Sequence, residues 1–213
     1  MHMRLESAKQ RFLQDLGEKP LSLVMSKWMI DRTPHLFYNS RNQCLEWKEK
    51  LAQKIGVDSH AILIMGTASL GFSLNPSKNF KLFDADSDVD VAIISHHYFE
   101  ISWHCLRTLG TKIYKLNPKQ KASVQDHRQR LVYWGTVATD RILPILPFGK
   151  KWIGALTEMA FVEPTTNRDI NVRLYNDFES LRAYHLENLK KIKNNLFSTQ
   201  GDEINETISQ YDA

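Results

Sequence analysis

The chain has only two cysteines in 213 residues, Cys44 and Cys105. They lie far apart and form no Cys-x-x-Cys pair, which excludes a zinc knuckle and a dithiol redox motif. With no disulfide framework available, a reducing cytoplasm is the expected compartment. No apolar run approaches the roughly 18–20 residues that a bilayer crossing needs. The opening residues, Met1-His2-Met3-Arg4-Leu5-Glu6, lack the apolar core of a signal peptide. Neither secretion nor a membrane partner is expected on this reading. No internal repeat or low-complexity tract is present.

Basic residues are missing from the end of the chain. Gly201 to Ala213 carries four acids and no base, whereas Arg107 to Lys151 carries ten Lys/Arg against Asp126 and Asp140. That basic region, 107–151, can attract a polyanion such as nucleic acid, or can simply be a solvated helix surface. What remains is ordinary for a globular protein: 42% hydrophobic and 24% charged residues. A chain of this length buries about 70% of its unfolded surface without covalent staples.

Hydrophobic spacing predicts helices over 4–16, 21–29 and 41–55, the third capped by Ser40, closed by Gly56 and turning Leu45, Leu51 and Ile55 inward. Ala61–Met65 reads as a short strand, Gly66–Gly71 as a tight turn and Val89–Ile94 as a second strand. Helices follow over 98–109, 123–139 and 151–159. Asp169–Tyr175 alternates as a strand, with Ile170, Val172 and Leu174 on one face and Asp169, Asn171 and Arg173 on the other. A long helix is predicted over 177–196. The resulting organisation is a single domain over 1–197 and a flexible acidic tail over 198–213.

The chemistry concentrates in Gly66-Thr67-Ala68-Ser69-Leu70-Gly71 and Ser87-Asp88-Val89-Asp90-Val91-Ala92. Residues i and i+2 of a strand share a face, so Asp88 and Asp90 project together about 7 Å apart at their backbones. A hard-oxygen pair of this kind suits a divalent cation that also carries a nucleoside triphosphate. Asp84 and Asp86 extend the alternation but are expected to be loop carboxylates. A calcium loop is not expected, because Val89 takes the place of the glycine such a loop needs. The alternative for the whole constellation is a surface turn followed by a strand with two exposed acids.

Strand, Gly-Thr turn, loop and Asp-x-Asp strand together resemble the nucleotidyltransferase superfamily that includes DNA polymerase beta. The resemblance covers mainly residues 61–94, with weaker support from 169–196. It implies an α+β fold, with a small mixed or antiparallel sheet of that type flanked by N- and C-terminal helices. It further implies Mg²⁺ or Mn²⁺ on Asp88, Asp90 and a third acid, with Gly66, Thr67 and Ser69 binding the cofactor-bearing phosphates. Asp169 is the expected third acid by face geometry, with Asp140 and Asp177 as alternatives, and Asn171 stands near where an Asp is expected. The insertion around 75–83 departs from the compact family form and brings Lys78 and Lys81.

The implied activity is transfer of a nucleoside monophosphate from an NTP or dNTP to a hydroxyl, with release of pyrophosphate. The expected product is a nucleotide or oligonucleotide signal in bacterial antiphage defence. Tyr211 in the tail offers a tethered priming hydroxyl, or is an ordinary tail aromatic. Two further readings stand beside this one: a toxin–antitoxin protein that attaches AMP to a partner protein, and a catalytically degenerate module that binds nucleotide or nucleic acid.

Overall fold

The structure is a computed structural model that describes the backbone of residues 2–75 and 78–211 and the side chains of residues 5–75 and 78–197. Helices α1 (His2–Glu18) and α2 (Leu21–Met25) open the chain, and α2 runs on into a wider turn at Ser26–Ile30. Helix α3 (Arg41–Ile55) begins where the Ser40 hydroxyl accepts the Gln43 amide and ends at Gly56, whose φ of 80° is left-handed. Its buried side is Cys44, Trp47, Leu51 and Ile55. Leu45, expected inward, is 50% exposed, because the spacing from Trp47 and Leu51 turns it away from the core.

Strand β1 (Ile62–Met65) leads into α4 (Gly66–Leu70), a single helical turn rather than the plain tight turn expected from sequence, closed by Gly71 at φ 90°. Strand β2 (Val89–Ile94) is followed by α5 (His96–Thr108), α6 (Pro118–Asp126) and a widened turn to Leu131. Here the expectation of one helix over 123–139 is corrected. Gly135 takes φ 62°, which breaks the helix, and Thr136–Ala138 forms strand β3. Helices α7 (Thr139–Ile142) and α8 (Gly149–Met159), strand β4 (Ile170–Tyr175) and helix α9 (Phe178–Tyr211) complete the chain. The helical backbone of α9 continues past the expected stop near Leu196. The side chain of Tyr211 lies outside the described residues.

The fold is α+β, with one four-stranded mixed sheet in the order β1-β2-β4-β3. β1 and β2 are antiparallel, β2 and β4 parallel, and β4 and β3 antiparallel. The parallel pair requires a long crossover, which α5 to α8 supply. One face of the sheet presents Ile62, Ile64, Val91, Ile93, Val137, Val172 and Leu174 to a core shared with Trp47, Leu51, Trp152 and Met159. The other face presents Met65, Ala92 and Tyr175 to Phe12, Leu16, Met25, Leu181 and Leu189 of α1, α2 and α9. Among the described residues, no helix is long and apolar enough to cross a membrane.

Candidate active site

Met65 and Asp90 are opposite one another in the β1–β2 register, and Gly66 follows at once. Gly66 has φ 59°, and a Cβ added there would lie 2.4 Å from Asp90 Oδ2. Any side chain at this position would therefore push the carboxylate aside. The glycine turn and the second acid of the Asp-x-Asp pair, 24 positions apart in the chain, are in direct apposition.

Asp88 and Asp90 flank buried Val89 and are both exposed at the surface. Protein nonetheless crowds Asp90, and this desolvation, with the charge of Asp88 beside it, pushes its carboxyl pKa up. Asp140 adds to the rise, while Arg173 and Lys78 oppose it. Asn171 pairs with Asp90 across the parallel ladder and donates from Nδ2 to Asp88 Oδ2 at 3.3 Å. Asn171, near where an Asp is expected, therefore meets Asp88 as an amide donor.

The loop before β2 is clamped by a residue with no sequence signal. Arg168 donates from Nη1 to the carbonyls of Asp84, Ala85 and Ser87 at 2.7, 3.1 and 2.8 Å, and its guanidinium lies 4.5 Å from the Phe83 ring centre. Asp84 is held by Lys81 at 2.7 Å and by the Ser87 hydroxyl at 2.7 Å, which accounts for it as a loop carboxylate. These contacts set the approach of the chain to Asp88.

Two cavities open on Asp90. A narrow one of about 90 Å³ is lined by Thr67, Lys78, Lys81, Asp86, Asp88 and Asp90. A larger one of about 280 Å³ is lined by Gly66, Asp90, Asp140, Asn171, Arg173 and His185, among others. Arg173 Nη1 is buried there without a hydrogen-bond partner among the described residues, and its guanidinium lies 5.0 Å from the Tyr184 ring centre. His185 shares a 3.0 Å hydrogen bond with the Tyr175 hydroxyl. Burial, helped by the charge of Arg173, pushes its imidazole down to about 4, so it is neutral at physiological pH.

The other expected residues separate from this centre to differing degrees. Asp169 is beside β2 through its carbonyl, which accepts the Val89 amide at 2.8 Å, but it lines an adjoining cavity of about 390 Å³. Asp140 lines both that cavity and the one at Asp90. Asp177 is a helix cap, accepting the Ser180 amide at 2.7 Å. Ser69 is 1% exposed, and its hydroxyl has no partner among the described residues, whereas Thr67 faces the narrow cavity. Of the basic region, Arg128 donates to the Leu106 carbonyl and Arg130 pairs with Asp126, while Lys112, Lys115, Lys119 and Lys121 remain exposed.

Among the described residues, no three His, Cys, Asp or Glu side chains are grouped so as to hold a metal by themselves. The Asp88–Asp90 pair still fits Mg²⁺, which is commonly held by one or two carboxylates together with substrate phosphates. Comparison with protein-family models, curated proteins and solved structures finds no match to the chain.

Proposed function

We propose that this protein is a metal-dependent nucleotidyltransferase that transfers a nucleoside monophosphate from an NTP or dNTP to a hydroxyl. The observation that carries the reading is the seating of the Gly66 turn against Asp90, with Asp88 alongside and neither acid in an ion pair among the described residues. A purely structural pair of acids would be expected to have cationic partners in place. The mixed sheet, with Asp88 and Asp90 entering its β2 strand and helices from both ends of the chain over one face, supports the same fold type.

Asp88 and Asp90 would hold Mg²⁺ or Mn²⁺, which when bound supplies charge neutralisation of the triphosphate and its pyrophosphate leaving group. Thr67, Lys78 and Lys81 line the narrow cavity and would orient phosphate oxygens. Arg173 brings an unpaired guanidinium donor to the larger cavity, where a phosphate or base edge would satisfy it. The acceptor oxygen forms a bond to the α-phosphorus as the bridging bond to the β-phosphate breaks. The acceptor proton passes to a carboxylate at the cavity. Asp140 shares the cavity of Asp90 and is the acid we assign to that step, with Asp169 the rival expected from sequence.

A panel of labelled NTPs and dNTPs with Mg²⁺ or Mn²⁺, with and without RNA, tests the reading through pyrophosphate release. Products without an added partner fit signal synthesis, as in antiphage defence, or priming on Tyr211. A strict need for another protein fits AMP transfer to a toxin partner. One observation favours the non-catalytic alternative, namely Asn171 in place of an acid opposite Asp90. Pyrophosphate release that disappears in Asp88→Asn and Asp90→Asn rejects that alternative; nucleotide binding with no release under every condition rejects catalysis.

A further inference from the structure

A second cavity, of about 480 Å³, lies against the edge strand β1, between α3 and the segment after α2. It is roomier than the one at Asp90 and falls within the range of small-molecule sites. Three cations line it, Arg32, Arg41 and Lys48, with Asp31 as the acid on its wall. None of the three makes an ion pair among the described residues.

Arg32 is the informative residue. It is half-buried, and its Nη1 is buried with no hydrogen-bond partner among the described residues. Its guanidinium sits 5.4 Å from the Trp28 ring centre, which orients the group without satisfying its donors. Lys48 is half-buried too; burial lowers its ammonium pKa, against weaker support from Cys44 and Asp58. Holding unpaired cations in a partly desolvated pocket is costly unless an anion meets them. Leu45, 50% exposed, supplies an apolar wall beside them.

We infer that this cavity is an anion site for an organic phosphate of nucleotide size, separate from the Asp88–Asp90 centre. The guanidiniums of Arg32 and Arg41 match the oxygens of a phosphate in forked geometry, and Lys48 adds a point charge. The apolar wall at Leu45 covers the organic body. This also gives a role to a leucine that the helix spacing turns away from the core.

Calorimetric titration of ADP into the full chain in EDTA is the test, with inorganic pyrophosphate as the probe lacking an organic body. EDTA removes the metal-assisted contribution of Asp88 and Asp90. Saturable ADP binding is expected, weakened about tenfold or more in Arg32→Gln and in Lys48→Gln, since a charge-assisted hydrogen bond is worth at least that factor. Asp90→Asn should bind ADP as the parent does. Circular dichroism checks each variant, and Lys48→Gln and Arg41→Gln decide the matter if Arg32→Gln does not fold. The inference is overturned by absence of saturable binding, by unchanged affinity in the folded variants, or by loss of binding in Asp90→Asn. Pyrophosphate binding as tight as ADP overturns the assignment of an organic ligand.

Discussion

The two faces of the sheet treat the same strands differently. On one face, Ile62, Ile64, Val91, Ile93, Val172 and Leu174 are buried without a charged group among them. On the other, Ala92 and Tyr175 are equally buried under α1, α2 and α9, yet Asp90 on β2 and Asn171 and Arg173 on β4 bring charge and amide to a cavity, with Asp88 just ahead of β2. Alternation allows one strand to serve both ends of this arrangement. The difference separates side chains that stabilise the fold from side chains that the fold holds at some electrostatic cost.

The comparison breaks first if the sealed face tolerates truncation. Trp152 is 0% exposed and donates from Nε1 to the Ile55 carbonyl at 3.2 Å. Trp152→Ala should lower stability by about 3–5 kcal/mol in urea unfolding, as other large-to-small core changes do. On the open face, Gly66→Ala should act mainly on function. A Cβ 2.4 Å from Asp90 Oδ2, on a backbone at φ 59°, displaces the acid. We expect at least about a hundredfold loss of pyrophosphate release, roughly 2.7 kcal/mol of transition-state stabilisation, with a stability loss of only about 1–2 kcal/mol.

A pH series sharpens the same contrast. Burial lowers the imidazole pKa of His127, which accepts the Ala138 amide at 3.0 Å, and of His185, lowered to about 4. Unfolding frees both to take up protons below about pH 6.5, whereas burial in the folded chain holds His185 neutral there and opposes protonation of His127. Their contribution is complete above that pH and is lost as pH falls. Unfolding free energy should drop by about 1–2 kcal/mol between pH 7.5 and 5.5, and His185→Gln should flatten part of the slope. The smallest effect separates the two candidate acids. Asp140→Asn should slow pyrophosphate release about tenfold, or roughly 1.4 kcal/mol, more than Asp169→Asn does. The reverse order would return the role to Asp169.

Much of this was legible where the signal is local. Apolar runs marked β1, β2 and β4, Ser40 and Gly56 marked the ends of α3, and Gly66 and Asp90, paired in the sequence reading, are in apposition. β3 was not, because its three residues gain their pairing from β4 and its Ala138 amide is bound by His127. Arg168 was not, because the carbonyls it clamps carry no residue identity and lie more than 80 positions away. The preference for Asp169 rested on strand alternation alone, and Asp169 lies just ahead of β4, lining the adjoining cavity. What periodicity could not supply was α7, which carries Asp140 to the cavity of Asp90.

The central claim is that Asp88 and Asp90 are held for a ligand and not for the fold. Urea unfolding of the Asp88→Asn/Asp90→Asn double variant, with a mixture of the four NTPs in EDTA and then with Mg²⁺, tests it most directly. Burial and mutual repulsion raise the folded pKa of Asp90, so its ionised form opposes folding at neutral pH. The double variant should therefore be at least as stable as the parent without ligand. The parent should gain about 1–3 kcal/mol from Mg²⁺ beyond nucleotide alone, and the variant should gain none. A variant that is less stable without ligand and keeps the full Mg²⁺-dependent gain would contradict the account.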